Sequence, residues 1–185
     1  MSTNKTSKKL STEDFILYIL NKLEPDKSDK IRLNKLAFFI EFAFIHHFNR
    51  PLSNTEYAGI DLGPVIDNYD LILKNMEKKK LVKVDGYRIR PLVSPSVVLQ
   101  NEDEIFVNNI IEKYSNLSKD VLIGISHLTD AYKITTKNEK IMGQKIDKKL
   151  AILETFLFDD KEVESISGDK LPIINRSQLI RYDAR

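Results

Sequence analysis

Residues 31–48 constrain this chain more than any other segment. Leu33, Leu36, Ile40, Ala43 and Phe44 recur at helical spacing on one face, while Phe38, Phe42 and Ile45 cover much of the remainder. A helix that is apolar around most of its circumference must be wrapped by other elements, so it is predicted to be the buried centre of the fold. Arg32, Lys35 and Glu41 interrupt the run, and such charges are costly at bilayer depth, which argues against a membrane span. The lysine-rich N-terminus has no apolar stretch of the signal-peptide kind. The chain is therefore read as a cytoplasmic protein, and its lysine- and asparagine-rich composition fits a bacterial or phage origin.

Shorter elements are predicted on both sides of this helix. Ser11 can cap a helix carrying Phe15, Ile16, Ile19, Leu20 and Leu23 on one face, with Glu13 and Asp14 at the positive end of its dipole. After an extended stretch at 54–62, Gly63-Pro64 reads as a turn that opens a helix bearing Val65, Ile66, Tyr69, Ile72, Leu73 and Met76. Asp85-Gly86, set between alternating apolar and polar residues, predicts a hairpin with strands at 81–84 and 87–90. Three more helices are expected. One at 102–114 would bury Ile105, Phe106, Ile110 and Ile111. One at 118–128 would bury Val121, Leu122 and Ile125, and one from about 138 to 158 would carry Ile141, Ile146, Leu150 and Leu153. The fold predicted is α+β and predominantly α, with helices packed around the central helix at 31–48 and one small antiparallel hairpin at 81–90. Residues 1–10 are expected to form a disordered tail, 11–158 a helical domain, and 159–185 a C-terminal extension that folds either on its own chain or on a partner.

Chemistry is mostly excluded by the residue inventory. The sequence has no cysteine, which removes disulfides, thiolate metal sites and cysteine nucleophiles. His46 and His47 are adjacent on a helix, so their rings point about 100° apart and cannot converge on one ion. No serine sits in a nucleophile elbow, and no glycine-rich loop is spaced to cradle phosphate. The acidic trio at 102–104 sits at a helix start, where carboxylates favour the dipole. Neither a catalytic group, a metal nor a cofactor is expected. Lys+Arg 29 against Asp+Glu 27 is too even for a chain whose main task is to coat phosphate. A helix–hairpin unit at 65–90, with basic residues Lys78–Lys80, Lys83, Arg88 and Arg90, has the outline of a winged helix. Asp67 and Asp70 near the start of its helix would repel phosphate and count against DNA.

Three segments together resemble the Panacea (SocA-like) antitoxin domain. Leu33-Asn-Lys-Leu-Ala-Phe-Phe39, followed by His47-Phe-Asn-Arg-Pro-Leu52, is similar to that family's K-L-x-Y-F helix and its G-x-P-L exit. Gly59-Ile-Asp-Leu-Gly-Pro-Val65 is similar to its W-x-Y-G-P-V turn. Leu117-Ser-Lys-Asp-Val-Leu-Ile-Gly-Ile-Ser-His-Leu-Thr-Asp-Ala-Tyr132 is similar to its L-S…L…T-H…W segment. The order and spacing hold over residues 11–155. The chain departs in having no tryptophan: Gly59 or Ile60 stands near the first expected one, and Tyr132 stands where the second would be.

The resemblance implies an antitoxin that binds a co-encoded protein toxin. It also implies that Leu36, Phe39, Gly63, Pro64, Val65, His127 and Tyr132 serve the scaffold, with Gly63 supplying an unusual backbone angle, Pro64 starting a helix, and His127 tying a helix end to the core. Partner contacts are expected first from the C-terminal extension (Ile173, Ile174, Arg176, Arg181, Tyr182) and second from the hairpin (Tyr87, Arg88, Arg90), because aromatic and arginine side chains anchor interfaces. A protease, to which the toxin is delivered, is a second possible partner. Two alternatives stay open: a DNA-binding regulator using 65–90, and a phage accessory protein that blocks a host factor.

Overall fold

A computed structural model describes residues 9–155 of the protein. Its first helix, α1 (Thr12–Lys22), begins where the Ser11 hydroxyl accepts the Asp14 amide at 3.0 Å. The central helix α2 (Lys30–Phe48) is capped by Asp29, whose carboxylate accepts the Arg32 amide at 2.9 Å, and ends at Asn49 in the left-handed region. Every residue from 31 to 45 is buried. Helices α4 (Asn101–Ser115) and α5 (Lys119–Leu128) join α1 around it. The aromatic interior includes Phe38 stacked on Phe42 at 4.1 Å, and Phe39 against Tyr114 at 4.9 Å. The fold is α+β and predominantly helical. No described helix is long and apolar enough to cross a membrane.

The predicted hairpin is present as β3 (Val82–Asp85) and β4 (Arg88–Pro91), turning at Gly86 with φ +60°. Its β4 edge is fastened to the entrance of α2, where the Ile89 amide donates to the Ser28 carbonyl at 2.9 Å and the Lys30 amide to the Tyr87 carbonyl at 3.0 Å. A second sheet was not anticipated. β1 (Tyr57–Ile60) pairs antiparallel with β2 (Gly63–Ile66) on one side and with β5 (Gln144–Ile146) on the other, in the order β2-β1-β5.

That sheet corrects the reading of Gly63-Pro64. Pro64 does not start a helix; it lies inside β2, opposite Gly59. The position tolerates proline because β2 is an edge strand and no ladder hydrogen bond is needed from that nitrogen. Val65 and Ile66 are buried by the sheet, and α3 (Tyr69–Lys78) begins only after Asn68 at φ +57°. The expected helix at 138–158 is also absent over its described residues, 138–155. A short helix, α6 (Asp130–Thr136), follows α5 directly, and Lys137, Asn138 and Glu139 then adopt φ of +51°, +54° and +68°. Three consecutive left-handed residues cannot belong to a right-handed helix. Ile146 reaches the core from β5 instead, and Lys148–Leu153 forms a 3-10 helix.

Two smaller corrections concern burial. Leu10, assigned to the tail, is 1% exposed, and its backbone bonds to the Leu52 carbonyl and the Asn54 amide, both at 2.9 Å. Ile105, expected in the core, is 62% exposed, whereas Ile111 is buried as expected, together with Val107 and Tyr114.

Candidate functional site

The polar residues of α2 are the means by which the fold holds its loops. Asn34 accepts the Ile66 amide at 2.8 Å and donates to the Lys30 carbonyl at 2.9 Å. Lys35 has no exposed surface, and its Nζ donates to the Leu62 carbonyl and, at 3.0 Å, to the Pro64 carbonyl. Burial drives the Lys35 amine well below its ordinary pKa. Its N–H groups are received by these two carbonyls. These bonds satisfy the outer edge of β2 from below. Glu41, also fully buried, accepts from the Ser53 hydroxyl at 2.6 Å and from Lys148 Nζ at 2.9 Å. Burial raises its pKa, with Lys148 and Ser53 opposing that rise.

Over Lys35 the packing leaves no slack. Gly63 has φ +87°, and a Cβ there would lie 2.2 Å from Ser126 Oγ, 2.9 Å from Lys35 Nζ and 3.2 Å from His127 Cδ2. His127 Nδ1 is 2.7 Å from Glu139 Oε1, in the left-handed run after α6, and its ring lies 4.9 Å from that of Tyr132. Burial lowers the His127 pKa, the Glu139 hydrogen bond opposes this, and the Lys35 charge reinforces it. The Tyr132 hydroxyl donates to the Ile60 carbonyl at 2.9 Å. Ser126, Lys35 and His127 have the composition of a nucleophile cluster. However, Ser126 Oγ donates to the Ile123 carbonyl at 2.7 Å and has no exposed surface. Ser126 is thus tied to its own helix, and the cluster holds backbone in place.

Two of the concave surfaces among the described residues bear on binding. One, of about 400 Å³, lies beside the β3–β4 hairpin, with Leu20, Leu23 and Ile89 in its lining and Lys83, Arg88 and Arg90 around them. Tyr87, at the hairpin tip, is 41% exposed and sits 4.7 Å below the Lys119 ammonium. The other, of about 760 Å³, lies against the β2-β1-β5 sheet and the start of α3, and its lining includes Asp61, Asp67 and Asp70. Asp67 and Asp70 stand at the end of α3 that a winged helix would present to DNA.

The predicted contact residues of the hairpin, Tyr87, Arg88 and Arg90, share this exposed element. Ile173, Ile174, Arg176, Arg181 and Tyr182 lie outside the described residues. Leu36, Phe39, Pro64 and Val65 are buried around α2 and β2. His46 and His47 diverge: His46 Nδ1 meets the Ala151 carbonyl at 3.0 Å, while His47 stacks on Phe106 at 4.9 Å.

The segment that builds α2, the β1–β2 hairpin, β3–β4, α4 and α5 is also the segment that matches a known family, described as the antitoxin SocA-like Panacea domain, over residues 33–133. The chain belongs to the Panacea family. Within this Panacea domain the matched region starts inside α2 and ends inside α6, so it spans Lys35, Gly63, Ser126, His127 and Tyr132 together. No curated protein and no solved structure matches the chain. The Lys35 and Glu41 anchors were missed by sequence reasoning, which used those charges only to exclude a membrane span. The available signal was the presence of ionisable side chains inside an otherwise apolar run. Such groups survive burial only when they are partnered.

Proposed function

We propose that this chain is a cytoplasmic antitoxin that neutralises a co-encoded protein toxin by stoichiometric binding. Family membership over residues 33–133 is the observation that carries this reading. The Lys35, Gly63 and His127 cluster acts as scaffold, and the variable outer surface meets the toxin. Tyr87, Arg88 and Arg90 supply an exposed aromatic–arginine patch on a hairpin tied to the central helix, and the C-terminal extension adds Ile173, Ile174, Arg176, Arg181 and Tyr182. A specific interface needs about 800 Å² per partner, more than one hairpin offers, so both surfaces are engaged.

The test is co-expression with the product of the neighbouring gene. Wild-type protein restores growth and co-purifies with the toxin. Arg88→Glu with Arg90→Glu keeps the far-UV spectrum and thermal midpoint of the wild type but loses rescue. Rescue at wild-type level by that folded variant would remove the hairpin from the interface. Failure of the wild-type protein to bind or rescue would refute the antitoxin reading for that pair. Toxin half-life separates occlusion, which leaves it unchanged, from delivery to a protease, which shortens it.

A further inference from the structure

The larger groove has a composition that one part of this same chain complements. Ala58, Ile60 and Val65 of the sheet give it an apolar lining, with Met142 and Gly143 on the side of β5 and the first turn of α3 opposite. Asp61, Asp67 and Asp70 outnumber Lys74 in the lining and leave it acidic. Lys145 pairs with Asp67 at 3.3 Å, whereas Asp61 and Asp70 have no ion-pair partner among the described residues. Leu71, also in the lining, is 60% exposed. A ligand suited to this surface carries several cations interspersed with branched apolar side chains.

Residues 170–185 carry that combination. Lys170, Arg176, Arg181 and Arg185 stand against one carboxylate, Asp183, with Leu171, Ile173, Ile174, Leu179 and Ile180 between them. The intervening residues 156–169 are acidic, with Asp159, Asp160, Glu162, Glu164 and Asp169, so the groove would repel them and favour the basic end. Reach is ample. The described chain ends at Thr155, whose amide and hydroxyl both bond to Asp130 at the start of α6, and α6 packs on β1 and β5. Fourteen residues can extend about 46 Å, which exceeds the width of a domain of this size. Tethering also supplies an effective concentration in the millimolar range, so even a weak contact would be closed most of the time.

We propose that the acidic groove on the β2-β1-β5 sheet is a docking site for the chain's own C-terminal segment, residues 170–185. A toxin that engages this segment must first win it from the groove. The proposal concerns the free protein and holds whether or not the antitoxin reading does.

The experiment uses the full chain, where the absence of cysteine allows one spin label at Ser177→Cys. Amide signals of Ala58, Ile60 and Gly143 should lose most of their intensity, while those of the β3–β4 turn keep theirs. Asp61→Lys with Asp70→Lys, or Arg176→Glu with Arg181→Glu, should each restore the lost intensity without changing the spectrum of the core. A mixture of labelled and isotope-enriched molecules distinguishes the source, because broadening carried between molecules would mean a second copy fills the groove and would overturn the proposal. Broadening at the β3–β4 turn instead, or none at all, would overturn it as well.

Discussion

Gly63→Ala is the substitution with the sharpest predicted consequence. At φ +87° an L side chain is strained, at a cost of about 1–2 kcal/mol. The added methyl would also stand 2.2 Å from Ser126 Oγ and 2.9 Å from Lys35 Nζ, both on fully buried residues. Neither can retreat, since Ser126 is bonded to its own helix and Lys35 holds two carbonyls of the hairpin. Overpacking of this kind costs about 1–3 kcal/mol. The total of roughly 2–5 kcal/mol is a large share of the 5–15 kcal/mol typical of a domain. In urea, with a slope near 2 kcal/mol per molar, the unfolding midpoint should fall by about 1–2.5 M. Ser126→Ala removes the closest atom, so the double variant should recover about 1 kcal/mol or more relative to the sum of the single changes. Both are read from far-UV circular dichroism. A Gly63→Ala protein as stable as the wild type, or strict additivity with Ser126→Ala, would refute the packing described for this site.

Other perturbations test the buried anchors. Folding lowers the Lys35 pKa below its unfolded value of about 10.5, so below that pH the unfolded state binds more protons and stability rises as pH approaches 10.5. Lys35→Met should flatten that rise in urea midpoint, and a slope identical to the wild type would exclude Lys35 as its source. Glu41→Ala strands Lys148 and the Ser53 hydroxyl, and should cost about 3 kcal/mol, partly recovered by adding Lys148→Met. Leu10→Ala should cost about 2–5 kcal/mol and lower the thermal midpoint by several degrees, whereas a change confined to residues 1–8 that leaves Leu10 in place provides the comparison.

What could be read in advance divides along physical lines. α1, α2, α4 and α5 were legible because each carries apolar residues at helical spacing, and Ser11 caps α1 as expected. β3–β4 was legible from Asp85-Gly86 and the alternation around it. β1 lies within the extended stretch expected at 54–62, but its pairing with β2 was not legible, because Val65, Ile66 and Tyr69 happen to fit a helix. The edge that lets Pro64 sit in a strand is supplied by Asn34 and Lys35, some thirty residues earlier, and no local pattern encodes it. Residues 138–158 failed for the same reason: tertiary pairing of β5 with β1 overrode an apolar spacing that was coincidental. At the candidate site, exposure of the hairpin followed from its turn chemistry, whereas the acidic groove depends on α3 starting at Tyr69, which the misplaced strand concealed.

The way Asn34 and Lys35 bond β2 has a consequence for how such a scaffold changes over time. The border of the sheet at β2 is closed from within, by side chains of the central helix. Substitutions on the exposed side of that border leave these bonds in place.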